Sequence, residues 1–322
     1  LGVSPERNDL FLKLSQKELS EEHASIYHCI PTAYPKDDKS KVKIGFTVYE
    51  TIDPPKEWIH EMNKMDLIIT PSHFNKNVFV TGGLKTKCEV VPHCFNPALF
   101  NDEVRCNGRY NKFTFLSMGT FRKRKNFDLL INAFYDGFTN KDNVCLLIKT
   151  DKGKQMGHLV NSIKADNYKS KDTAPIYVDD EILDFEDIPS FMKKADVFVS
   201  PSAGEGFCLP SMHALALNIP IIVTKYGGAL EYAKPEFSTY FIPYGYTKKP
   251  VLDGFPQFAN KIWPDIKVSE VRDKMLFAYH SLSALQKITR DGYQFVHDHF
   301  NYKIIGHRFV NVVEETINAH IS

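Results

Sequence analysis

From about residue 24 the chain alternates short, β-branched apolar runs with amphipathic stretches of helical period, breaks at a polar interval, and then alternates again. Such alternation marks parallel strands joined by helices, because parallel neighbours need a long crossover rather than a tight turn. Residues 24–30 and 42–49 read as strands, 57–65 as a helix behind the Pro54-Pro55 stop, 66–70 as a strand, 72–81 as a helix and 88–92 as a strand. After the irregular stretch 92–112, strands are expected at 113–118, 144–150, 174–178, 196–200 and 219–224, with helices at 126–135, 157–165, 187–194 and 209–217 between them. From about Ser269 the chain reads as mainly helical and ends on the amphipathic stretch 302–319.

A length of 322 residues exceeds what one core usually supports. The expected fold is therefore α/β: two Rossmann-like doubly wound domains facing across a cleft. Residues 1–104 form the first, residues 105–301 the second, and the helix 302–322 returns to pack on the first. The chain opens on Leu1 without a complete first strand, so the first domain is expected to be incomplete at its start. Forty basic residues against 39 acidic ones leave a formal charge of +1, too little to attract nucleic acid or anionic lipid globally. The six cysteines show no CxxC pair and no metal-ligand spacing, which fits reduced thiols and a cytoplasmic setting. No run approaches the roughly 20 apolar residues that span a bilayer, so at most peripheral membrane contact is expected.

Ligands of doubly wound sheets bind beyond the carboxyl ends of the strands. The loop after residue 118, Gly119-Thr120-Phe121-Arg122-Lys123-Arg124-Lys125-Asn126, offers a tight turn, four consecutive cations and a helix amino terminus, in outline a diphosphate site. A solvated basic loop would look the same. The loop Ser200-Pro201-Ser202-Ala203-Gly204-Glu205-Gly206-Phe207-Cys208-Leu209-Pro210 sets Glu205 between two glycines at a helix entrance. A carboxylate there would repel a phosphate unless it accepts hydrogen bonds from hydroxyls, and a sugar supplies those. Gly227-Gly228-Ala229-Leu230-Glu231 makes a third glycine-rich turn after a strand. Together the three loops specify a nucleotide-sugar pocket.

The run ADVFVSPSAGEGFCLPSMHALALNIPIIVTKYGGALE (195–231) resembles the retaining glycosyltransferases of family 4, with their two-domain GT-B fold. GTFRKRKNFDLLINAF resembles that family's G-x-x-x-x-R-K-N loop and following helix, VVPHCFNP its inter-domain strand end, and GFTVYETIDPPKEWI with MDLIITPSHFNKNVFV a subset of its members. The resemblance is strongest over residues 113–231 and weak over the first 23 residues and 151–173.

It implies that Arg124 and Lys125, beside Gly119, hold the donor diphosphate, and that Glu205 accepts hydrogen bonds from the donor sugar. Backbone amides of Gly206, Phe207, Cys208 and Leu209 would reach sugar or phosphate, so no metal or other cofactor is called for. His28 resembles the family histidine near the reacting sugar, a buried structural histidine being its alternative, and Glu50 is a further cleft candidate. The second glutamate of the E-x7-E motif, which binds ribose, is replaced by His213, where one hydrogen bond or simple packing is expected. Asp179-Asp180 lies near the nucleotide base in this reading rather than forming a metal motif, and Trp58 and Trp263 read as packing residues.

The expected activity is retaining, metal-independent transfer of a hexose-type sugar from a nucleotide-diphosphate donor to a glycan, lipid or protein acceptor. A nucleotide-sugar-binding protein without turnover is one alternative, motivated by His213. A glycosyltransferase of nucleic-acid bases is another; the charge balance opposes it, although Lys36, Lys39, Lys41 and Lys43 form a local basic cluster.

Overall fold

The computed structural model describes residues 23–237, 239–249 and 254–321, together with Asp9, Leu12, Lys13, Gln16 and Lys17. The chain start, Leu1, lies outside these residues. Strands β1 (Ala24–His28), β2 (Val42–Phe46), β3 (Leu67–Thr70) and β4 (Cys88–Val90) form an all-parallel sheet in sequence order. Their connections include helices α1 (Lys56–Met62) and α2 (His73–Thr81). The second sheet contains β5 (Phe113–Met118), β6 (Val144–Lys149), β7 (Ile176–Asp179), β8 (Val197–Ser200), β9 (Ile221–Thr224) and β10 (Thr239–Ile242). These too are parallel, in the order β10-β9-β8-β5-β6-β7. Their helices are α3 (Phe127–Gly137), α4 (Gly153–Asn167), α5 (Ile188–Met192) and α6 (Leu209–Ala216); α7 (Val268–His280), α8 (Leu282–His299) and α9 (Tyr302–Ile321) follow.

Strand side chains alternate between faces, so each sheet divides its apolar residues into two cores. In the second sheet Phe115, Leu146 and Val197 pack on one face with Leu130, Ile131 and Phe134 of α3 and Met275 of α7. Their neighbours Leu116, Leu147 and Phe198 pack on the other with Met212 and Leu215 of α6 and Val296 of α8. In the first sheet Ile68 joins Trp58, Met62, Val78 and Phe79 from α1 and α2, whereas Val42, Ile44, Leu67 and Ile69 meet Ile305 and Phe309 of α9. The last helix thus covers the first sheet although it follows the second domain in sequence. Among the described residues no helix is long and apolar enough to cross a membrane.

Two departures from the expected elements bear on the cleft. Strand β2 ends at Phe46 rather than at 49, and Val48–Glu50 leave the sheet to meet the second domain. Tyr49 anchors this exit: its side chain is buried, and its hydroxyl donates to the carbonyl of Gln257 (2.9 Å) or Asp53 (3.1 Å). Beyond β10 a hairpin, β11 (Gly245–Lys249) and β12 (Lys261–Asp265), was not legible in the sequence. It carries Phe258 and Trp263 into the core that holds Tyr49 and Trp58. Trp58 and Trp263 are both packing residues, 4% and 0% exposed.

Because Trp263 fills the junction between hairpin and first domain, Trp263→Ala is expected to cost about 3–5 kcal/mol. The measurement is a urea titration, in which the midpoint should fall well below that of Trp263→Phe.

Candidate functional site

Strand β5 lies between β6 and β8, so the chain leaves it toward β7 on one side and returns toward β10 on the other. The crevice at this reversal is where doubly wound sheets place ligands. Two of the three loops singled out from sequence emerge there, one after β5 and one after β8. They are bonded directly to one another: the Ala203 amide donates to the Arg124 carbonyl (2.7 Å) and the Asn126 side-chain amide to the Pro201 carbonyl (2.8 Å). Asn126 adopts φ 53°, which turns the chain from the one-turn helix Lys123–Lys125 into α3 and starts α3 one residue later than expected. Gly119 leaves room for the Lys125 stem, whose Cε would lie 3.3 Å from a Cβ there.

At the centre the Lys125 ammonium donates to Glu205 Oε1 (2.5 Å), and Arg124 Nη1 lies 3.1 Å from Glu205 Oε2. The Ser202 hydroxyl donates to Glu205 Oε1 (2.8 Å), and Arg124 Nη1 also donates to the Gly204 carbonyl (2.7 Å). Glu50, from the first domain, reaches within 3.6 Å of Arg124 Nη2. Two cations and two carboxylates therefore balance in a largely buried cluster spanning both domains. Burial pushes the Glu205 carboxyl up, but Lys125 and Arg124 outweigh it and hold the group at about 2.

The glycines beside Glu205 answer to close packing. A Cβ on Gly206 would meet Val48 Cγ2 at 1.7 Å, and one on Gly204 would meet the Glu50 carbonyl and the Trp263 ring, each at 2.7 Å. The third glycine loop forms the turn Gly227–Glu231, where Gly228 donates its amide to the Glu205 carbonyl (2.8 Å) and Gly227 sits at φ 82° over it. That loop therefore positions Glu205. Tyr232, which no sequence pattern pointed to, is buried beneath α6; its hydroxyl donates to the carbonyl of Cys208 (2.6 Å) or Phe207 (3.1 Å). Cys208 caps α6 in the left-handed region (φ 66°), unusual for a side chain with a Cβ. Leu209, the first residue of α6, is 37% exposed.

The cleft is closed around this loop. The Ser72 hydroxyl donates to the Gly206 carbonyl (2.9 Å), the His73 amide to Glu231 Oε1 (2.6 Å), and His73 Nδ1 lies 2.9 Å from Glu231 Oε2. His28 stacks on Phe46 (4.5 Å between centroids), Phe46 on His93 (5.7 Å), and His93 meets Phe207 edge-on (5.2 Å). This aromatic chain links His28 in the first domain to the Glu205 loop. His213 is packed: its ring stacks on Phe100 (4.1 Å), and burial lowers it to about 4, leaving a neutral imidazole. A cavity of about 440 Å³ opens at the ends of β5, β6 and β7, bordered by Gly119, Thr120, Asp151, Asp180 and Ile182. Asp179 pairs with the buried Lys149, which also donates to the Glu181 carbonyl.

Residues 103–249, which include both bonded loops, match the family Glycosyl transferases group 1. The chain is 21% identical to Uncharacterized protein 356 of Sulfolobus islandicus rod-shaped virus 1 over 283 residues, 85% of this chain and 77% of that protein. It is 32% identical to the O-antigen biosynthesis glycosyltransferase WclY of Escherichia coli over 110 residues, 34% of this chain and 28% of WclY. Among solved structures it superposes on sucrose-phosphate synthase from Thermosynechococcus elongatus with a TM-score of 0.70 at 14% identity, covering 98% of this chain and 78% of that one. Anabaena HepE in complex with UDP-glucose superposes with a TM-score of 0.64 at 13% identity, covering 85% and 72%. The fold is GT-B.

Within this GT-B frame, sequence reasoning missed Ser202, Ser72 and Tyr232 as supports of the loop and Glu231 as a contact across the cleft. Ser72 also caps α2 by accepting from the Asn75 amide, and its bond to Gly206, like that of Tyr232 to Cys208, joins residues far apart in sequence.

Two expectations follow. The carboxyl of Glu205 has a folded value below its ordinary 4.5, so the cluster's stabilisation is complete above pH 4.5 and fades as pH falls toward about 2. Free energies of unfolding measured across this window should show a loss of about 3 kcal/mol that Glu205→Gln lacks. Cys208→Ala, which empties the buried sulfur's place but keeps the left-handed backbone, should lower the melting temperature, and Cys208→Gly, which also relieves a strain of about 1 kcal/mol, should lower it less.

Proposed function

We propose that the chain is a glycosyltransferase that moves a hexose-type sugar from a nucleotide-diphosphate donor to an acceptor hydroxyl with retention of configuration. The observation that carries this reading is the Lys125–Arg124–Glu205 cluster at the strand-order reversal, inside the segment that matches Glycosyl transferases group 1. Lys125 and Arg124 are held beside the amino end of α6, so a diphosphate there would meet two cations and the amides of Gly206, Phe207, Cys208 and Leu209. Those groups supply the charge stabilisation, and the mechanism calls for no metal. Glu205 pairs with both cations. A diphosphate replaces it there and releases the carboxylate to accept hydrogen bonds from sugar hydroxyls. The cavity at the ends of β5–β7 has room for the nucleoside. His213, stacked and neutral, offers a ribose at most one hydrogen bond.

Transfer breaks the bond between the anomeric carbon and the diphosphate oxygen, which keeps the electron pair. The acceptor oxygen bonds the anomeric carbon from the same side, and its proton passes to the departing phosphate oxygen. The protein positions the partners, stabilises charge and excludes water, with His28 on the first-domain wall near the sugar. Ser72, His73 and Val48 make contacts across the cleft, and in this reading the domains part for loading and close for transfer. The unpaired cysteines fit a reducing, cytoplasmic setting.

The test is a thermal-shift screen of nucleotide-diphosphate sugars, beginning with UDP-glucose, the ligand of the HepE structure. A true donor at 100 times its Kd should stabilise the protein by about 2.7 kcal/mol. Lys125→Ala should abolish the shift, while Glu205→Ala should keep nucleotide binding and lose transfer by about 100-fold or more. Transfer unaltered in both variants would overturn the assignment, and donor binding without sugar release under any acceptor would favour a binding protein.

A further inference from the structure

A second cavity, of about 330 Å³, lies between the end of the first sheet and helix α9, and the reaction scheme above makes no use of it. Its walls are Phe46, His93, Leu209, Tyr302, Ile305 and Phe309, with backbone and small side chains between them and no carboxylate, lysine or arginine among the lining residues. Burial, with His28 alongside, lowers His93 to about 4, so its imidazole is neutral and compatible with an apolar neighbour. The cavity adjoins the candidate site on two sides. Leu209 is the first residue of α6, whose amino end faces the cations, and Phe46 carries the His28 ring on its surface at 4.5 Å.

Gly306 supplies an independent observation. It stands inside the 20-residue helix α9 and lines the cavity, yet a Cβ added there would meet nothing within 4 Å. Glycine inside a helix costs about 1 kcal/mol relative to alanine, and no close contact among the described residues requires it. A glycine at this position leaves the uncharged hollow open on its α9 side, next to the candidate site.

We infer that this cavity binds a ring-sized apolar group of the acceptor, carried next to the hydroxyl that receives the sugar. The inference rests on the glycosyltransferase reading for the word acceptor, but the binding it describes can be measured without a donor. The volume is at the small end of ligand pockets, which run from about 300 to 1,000 Å³, so it suits one ring rather than a long glycan.

The experiment compares phenyl β-D-glucoside with methyl β-D-glucoside by titration calorimetry against the whole chain. The phenyl compound should bind at least tenfold tighter, with a negative heat-capacity change. Gly306→Leu, which fills the hollow from α9, and Cys94→Phe, which fills it from the opposite wall, should each erase the preference. Gly306→Ala should keep it within twofold. All three variants should retain the donor-induced thermal shift. Equal affinity for the two glucosides, no measurable binding of either, or a preference that survives both filling variants overturns the inference. Absence of any donor shift in the unaltered protein counts against the glycosyltransferase reading alone.

Discussion

The site is organised by the pairing of Glu205 with Lys125 and Arg124. Charges buried singly are expensive, and removing one member of such a set leaves its partners uncompensated. Here each charge faces an opposite one, with Glu50 adding a second carboxylate from the facing domain. The pairing also fixes geometry. It ties the loop after β5 to the loop after β8 across the point where the sheet reverses its order, and so shapes the crevice. A cluster balanced in this way can exchange one anion for another, which is compatible with the diphosphate role proposed for it.

The glycines around this cluster serve contact rather than chemistry. Gly206 admits Val48, Gly204 admits Glu50 and Trp263, and Gly228 lies against the Glu205–Gly206 backbone. A side chain at any of these positions would push a wall away, so the closed cleft depends on their absence. The hairpin beyond β10 works to the same end: it lends Phe258 and Trp263 to the first domain's core and braces the segment that carries Glu50. Helix α9 adds the remaining link by covering the first sheet's other face.

The alternation of apolar runs located every parallel strand through β9, because period-two and period-3.6 patterns survive in the residues themselves. It failed for β10 to β12, whose sequences (TYFI, GYTKK, KIWPD) mix aromatic, lysine and proline residues without a clear apolar run. At the site the order glycine, cations, carboxylate was legible, since each loop is contiguous and follows a strand. The structure brings Arg124, Lys125 and Glu205 together, with Gly119 beneath the Lys125 stem. It connects His28 to them only through Phe46, His93 and Phe207, and it stacks His213 on Phe100. Neither histidine's environment could be read from its neighbours in the chain, because stacking partners of this kind are set by packing.

The sequence by itself determined that two α/β units would form and which loops would stand at the strand ends, because backbone periodicity and glycine-bearing turns are local properties. Only the tertiary structure decided that Glu205 would neutralise the cations, that Glu50 would join them from the other domain, and that Trp263 would cross to the first core. Those outcomes depend on distances between segments remote in the chain. Such distances are fixed when both cores and the cleft between them close together.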